Sequence, residues 1–125
     1  MSKVYHLTKV IDGVTANTTA GAVSIRGADK VMLIVQRAAH GSGSSAFTAT
    51  VSQDGTNYID YDKWIDNVAA TNSQTVAKVT TKTLSGNGTD FVTMSPEDGF
   101  LDIIVKVTET TDGTHSAWVY TEEEC

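Results

Sequence analysis

The chain of 125 residues has one cysteine, one proline, three histidines and only 19% charged residues. Each scarcity excludes something. A lone Cys125 forms no intrachain disulfide, so the fold does not depend on an oxidising compartment. A thiol beside Glu122, Glu123 and Glu124 is also a poor nucleophile. His6, His40 and His115 are far apart, and none has a Cys or His neighbour at ligand spacing, so a zinc site has no support. No apolar run approaches the length that crosses a bilayer, so no membrane partner is expected. The start, Met1 to His6, lacks the apolar centre of a signal peptide, so synthesis in a cytoplasm without export is expected. The nine Lys and Arg are scattered and the net charge is −6, which argues against a nucleic-acid backbone as partner.

In place of charge the chain carries Thr, Ser and Asn. Thr is β-branched and polar, suited to the solvent face of a strand. Residues 1–125 are long enough for a single domain with its own core, followed by a short acidic tail at Glu122–Glu124.

The strongest local signal is Ala46 to Tyr61, where two alternating arms flank Asp54-Gly55. This pair tolerates the positive φ angles of a type I′ turn and predicts a hairpin. Lys3 to Ile11 and Ala22 to Arg26 read as further strands, and Thr15 to Gly21 as a loop. Val31 to Val35 is apolar on both faces, the pattern of a central, buried strand. Asp62 to Ala70 allows a helical turn, with Trp64, Ile65 and Val68 on one face. Thr75 to Leu84 alternates weakly and carries lysines, as an edge strand does. Ser85 to Gly88 is a tight turn into Asp90 to Met94, and Ser95 to Gly99 breaks the chain again. In Phe100 to Thr108, the residues Leu101, Ile103, Val105 and Val107 share one face and are expected in the core. Asp112-Gly113 then predicts a turn to Ser116 to Thr121 as its partner strand. About eight strands at roughly ten-residue intervals, without long helices, define an all-β antiparallel sandwich or barrel.

No set of residues for chemistry stands out. Asp60, Asp62 and Asp66 lack the glycine of a calcium loop and surround Lys63. The Gly41-Ser-Gly-Ser stretch lacks the strand-to-helix setting of a nucleophile elbow. No nucleophile, base or metal set is recognisable, so no catalytic residue, metal or cofactor is expected. Trp118 has apolar strand neighbours and reads as core or rim packing. Tyr58, Tyr61 and Trp64 are the aromatics that could stack on a glycan or meet a partner.

Phe47-Thr-Ala-Thr-Val-Ser-Gln-Asp-Gly-Thr-Asn-Tyr58, preceded by Lys30 to Val35 and a Gly/Ser loop, resembles small virion structural proteins of tailed bacteriophages. The resemblance extends in layout to the closing strands Phe100 to Val107 and Ser116 to Thr121. It implies a single jelly-roll-like β-sandwich without enzymatic activity, which decorates or cements an icosahedral head. The implied partners are the major capsid protein lattice and further copies of the chain, a trimer foremost, on the outside of the virion. Two other readings stay open: a carbohydrate-binding sandwich using Tyr58, Tyr61 and Trp64, and a tail or neck component.

Overall fold

A computed structural model describes residues 3–66, 77–94, 100–109 and 112–124. Among them there is no helix. The strands are β1 (Lys3–Val14), β2 (Thr18–Thr19), β3 (Val23–Ser24), β4 (Lys30–Ala38), β5 (Ser45–Ser52) and β6 (Ile59–Asp60). They continue as β7 (Trp64–Asp66), β8 (Ala77–Val79), β9 (Lys82–Leu84), β10 (Gly88–Met94), β11 (Asp102–Glu109) and β12 (Thr114–Glu124).

They form two antiparallel sheets. Sheet A has the order β1-β12-β4-β10-β7-β8. In sheet B, β11 and β5 pair along their whole length, β2 and β3 share the free edge of β11, and β6 and β9 share the free edge of β5. Counting β2/β3 and β6/β9 as two broken strands gives four strands facing four, with β7 and β8 as an addition to sheet A. The chain passes back and forth between the sheets, and the last strand lies between β1 and β4. This winding is the jelly-roll-like sandwich.

Alternation builds the core. Val31, Leu33 and Val35 point inward from β4, and Phe47, Ala49 and Val51 from β5. Ile103, Val105 and Val107 meet them from β11, as their spacing predicts, while Leu101 is half-buried outside that strand. Each large side chain so buried contributes about 1.5–3 kcal/mol.

Several local expectations are corrected. The Asp54-Gly55 hairpin exists, with Thr50 opposite Asp60 and Val51 opposite Ile59, but residues 53–58 form its loop. Gly55 has φ +80°, whereas Asp54 keeps a negative φ, so the turn is not type I′. Asp54 instead uses its side chain: Oδ1 accepts from the backbone N–H groups of Thr56 and Asn57, each at 2.8 Å. The Asp112-Gly113 turn does not join partner strands. β11 lies in sheet B and β12 in sheet A, so the connection crosses the sandwich. The Thr75–Leu84 segment is likewise divided, β8 at the edge of sheet A and β9 on sheet B. Trp64–Asp66 is a strand rather than a helical turn: Trp64 enters the core while Ile65 pairs with Thr93 and points out. Within the loop expected at Thr15–Gly21, Thr18–Thr19 pairs with β11. Thr75 and Val76, Val68, the Ser95–Gly99 turn and Cys125 lie outside the described residues.

Candidate interaction face

The two sheets differ in what they turn outward. On sheet A, register places the outward residues in rows across the strands. One row runs Lys9, Trp118, Ile34, Phe91. The next runs Leu7, Tyr120, Met32, Thr93, Ile65. A third holds Tyr5, Glu122 and Lys30. Tyr5 and Leu7 are 60% and 61% exposed and Phe91 is 38% exposed. Trp118, Tyr120, Met32, Ile34 and Ile65 are half-buried. Five strands at about 4.8 Å make this belt roughly 19 Å wide.

Contacts within the belt hold its rings. Tyr5 stacks on Tyr120 with centroids 6.1 Å apart. The Lys9 ammonium lies 5.1 Å from the Trp118 ring centroid and pairs with Asp12 at 2.8 Å. Tyr120 donates to Glu122 at 3.2 Å; partial burial, then the Glu122 carboxylate, raise its phenol above the ordinary value. This belt joins residues that are distant in sequence. Its signal was present: Val31–Val35 is apolar on both faces because β4 is central and its outer residues Met32 and Ile34 join an apolar surface. Trp118 is at the rim, on the same surface.

The outer face of sheet B is hydroxylated instead. Thr19, Thr48, Thr50 and Thr108 line a groove of about 730 Å³, with Asp60, Asp62, Lys106 and the Thr80-Thr81 segment at its sides. Asp60 and Asp62 are exposed, and no three His, Cys, Asp or Glu side chains converge among the described residues.

The expected contact residues separate. Trp64 and Tyr61 are 1% and 3% exposed and pack edge to face with centroids 4.8 Å apart. Phe100 closes on Tyr61 at 5.8 Å. A stacking platform needs an open ring face, and neither ring has one, because both are buried in the core. Tyr58 is half-buried in the hairpin loop.

A buried polar cluster lies at the other end of the sandwich. Arg37 Nη1 donates to Ser45 Oγ at 2.8 Å, Ser45 Oγ is 2.7 Å from His115 Nδ1, and His115 Nε2 is 2.5 Å from Glu109 Oε2. Ser45 Oγ accepts from Arg37 and so keeps its proton for Nδ1 when that nitrogen is the bare one of the ring, with His115 donating from Nε2 to Glu109. The residue types match a Ser-His-Glu triad, but Ser45 and His115 are wholly buried, so no substrate reaches the hydroxyl. The cluster joins β4, β5, β11 and β12.

No protein-family model and no curated protein sequence matches the chain. The class of protein that the fold defines, a small jelly-roll-like sandwich, has solved counterparts. The structure is similar to that of the SPBc2 prophage-derived protein YomS, with TM-score 0.69 and 10% identity over 98% of this chain and 96% of that one. It is also similar to part of a chain of infectious bursal disease virus, Gx strain, with TM-score 0.54 and 6% identity over 98% of this chain and 33% of the viral one. In the T13 viral particle of that virus the values are TM-score 0.51 and 6% identity, over 95% and 31%. This chain thus spans about a third of the viral chains, and at such identities the likeness is one of fold.

Proposed function

We propose that this protein is a non-enzymatic virion structural component that acts by protein–protein contact, as a decoration or cement protein on the outside of a phage head. The observation that carries this reading is the apolar belt on sheet A. Leu7, Tyr5 and Phe91 are exposed beside Trp118 and Tyr120, and a contiguous apolar patch of several hundred Å² on a protein surface is often a contact site. The fold shared with a prophage-derived protein and with part of a viral particle chain supports the setting. The partner in this reading is the major capsid protein lattice, together with further copies of the chain. A net charge of −6 suits a lattice with basic patches.

The test is cosedimentation with assembled, undecorated heads of the encoding phage, followed by heat challenge of the heads. The wild-type chain should pellet with the heads and delay their disruption, and Leu7→Lys should weaken both effects. Absence of cosedimentation would remove the head role and leave a tail or neck position to be tested on those assemblies.

The hydroxylated groove on sheet B favours a second reading, a glycan-binding module. Threonine hydroxyls, two aspartates and Lys106 could bond sugar hydroxyls. A glycan array without hits would dismiss it.

A further inference from the structure

We propose that the apolar belt of sheet A seats a second copy of this chain, in a two-fold dimer whose axis runs along the strands between β12 and β4. The inference rests on the reading that the protein acts through contact at this face; it gives the belt to a second copy, so that the pair meets the lattice through its other surfaces and a change in the belt weakens head binding through loss of the pair.

Size and charge order select that occupant. The belt offers on the order of 500 Å² of apolar surface, given that each aromatic ring carries about 150–250 Å² in full. A stable interface covers about 800 Å² per partner; the belt supplies its apolar centre, and Lys9, Lys30 and Glu122 extend it at the rim. The rim decides the symmetry. Glu122 and Lys30 are register partners on the two strands that flank the axis. Rotation about that axis exchanges the two strand positions, so Glu122 meets the second copy's Lys30 and Lys30 meets the second copy's Glu122. The same rotation sets Tyr120 against the second copy's Met32, and Trp118 against its Ile34. On the two strands beside the axis apolar thus meets apolar, and Glu122 and Lys30 each meet their opposite, the self-complementarity that an isologous contact requires. Two sheets packed in this way have nearly aligned strands, the common geometry of sheet-on-sheet packing. The aromatic residues supply affinity at the centre, and the charge pairs fix register at the rim. The resemblance implies a trimer, whereas the pairing proposed is two-fold.

The test is sedimentation equilibrium of the full chain over a concentration series. Wild type should dimerise. Lys30→Glu and Glu122→Lys should each raise the dissociation constant by about tenfold or more, since each places like charges opposite one another twice. Mixing these two variants should restore the dimer, because every contact across the axis is then Glu against Lys. A purely intrachain effect would not respond to mixing. Met32→Asp should abolish the dimer while unfolding stays cooperative. A wild type that is monomeric throughout, or a mixture that stays apart, would overturn the two-fold. Head cosedimentation separates this from the broader reading: a monomer that still binds heads defeats only the dimer, and a dimer that binds no heads defeats only the head role.

Discussion

Arg37 Nη2 donates to the backbone carbonyl of Asp112 across 2.6 Å, and so ties the crossing between the sheets to the central strand of sheet A. The Asp112 carboxylate completes the tie by accepting from the backbone N–H groups of Gly41 and Ser42, at 2.9 and 3.1 Å. Two loops and two strands thereby meet on one buried guanidinium, which also donates to the Ser42 carbonyl at 2.8 Å. Removing it leaves those acceptors without partners inside the protein. Arg37→Met is expected to cost about 3–5 kcal/mol in urea unfolding, and Arg37→Lys most of that, because one ammonium cannot serve the acceptors of a planar fork. Gly113→Ala should also destabilise, because Gly113 has φ +118° and an added Cβ would lie 3.1 Å from Arg37 Nε.

The same loops make stability sensitive to acid. Backbone N–H bonds from Asn57 and Thr56, then side-chain bonds from Asn57 and Ser52, hold the Asp54 carboxyl well below its ordinary range. N–H bonds from Gly41 and Ser42 lower Asp112, with a further contribution from the Arg37 charge. Both groups bind a proton less readily folded than unfolded. Their stabilisation is therefore complete above the ordinary carboxylate range, about pH 4, and declines as pH falls through it toward the lowered folded values. Urea midpoints measured on the acid side should fall with pH. Asp54→Asn and Asp112→Asn should each flatten that fall, and an unchanged slope in both would refute the assignment.

The two tryptophans should answer differently to substitution. Trp64 is core and Trp118 is on the outer belt. Trp64→Ala is expected to cost about 3–5 kcal/mol, and Trp118→Ala about 1 kcal/mol or less, in the unfolding of the dilute monomer. The order should reverse in self-association, where only Trp118→Ala weakens the dimer. Equal effects on stability would mean that Trp118 is buried in the monomer as well.

How much of this was legible follows from the range of each signal. Alternation in Ile103, Val105 and Val107 is local, so their burial could be read directly from spacing. The hairpin at Asp54-Gly55 is also local, but its loop length depends on Asp54 bonding Thr56 and Asn57, which composition does not specify. Pairing across the sandwich is not local. Asp112-Gly113 carries the same turn signal as Asp54-Gly55, yet β12 leaves β11 for β4, because Ala117 and Val119 complete the inner face of sheet A. Trp64 and Tyr61 looked available because aromatics in a polar stretch can be surface or core, and only the packing with Phe100 decides. The belt on sheet A needed the register of five strands, since Leu7, Tyr120 and Met32 are distant in sequence. The polar cluster was likewise invisible, because Ser45, Glu109 and His115 come from three separate strands.

That cluster yields the last prediction. Ser45 Oγ accepts from Arg37 and lies against His115 Nδ1, so Ser45→Ala leaves Arg37 Nη1 only its long 3.5 Å bond to the Leu84 carbonyl and takes the partner of a buried ring nitrogen at once. Each such loss costs about 1–3 kcal/mol, and the two together should appear as a clear drop in the urea midpoint. Chemistry at Ser45 requires access, which the folded protein denies. A fluorophosphonate probe should therefore leave native Ser45 unlabelled. Labelling of the native protein at Ser45, lost in Ser45→Ala, would mean that the cluster opens and that the Ser-His-Glu arrangement acts as a nucleophilic site. A stability loss without labelling would mean that the same atoms serve as a joint between the two sheets, where Glu109 and His115 are held 2.5 Å apart at the ends of β11 and β12.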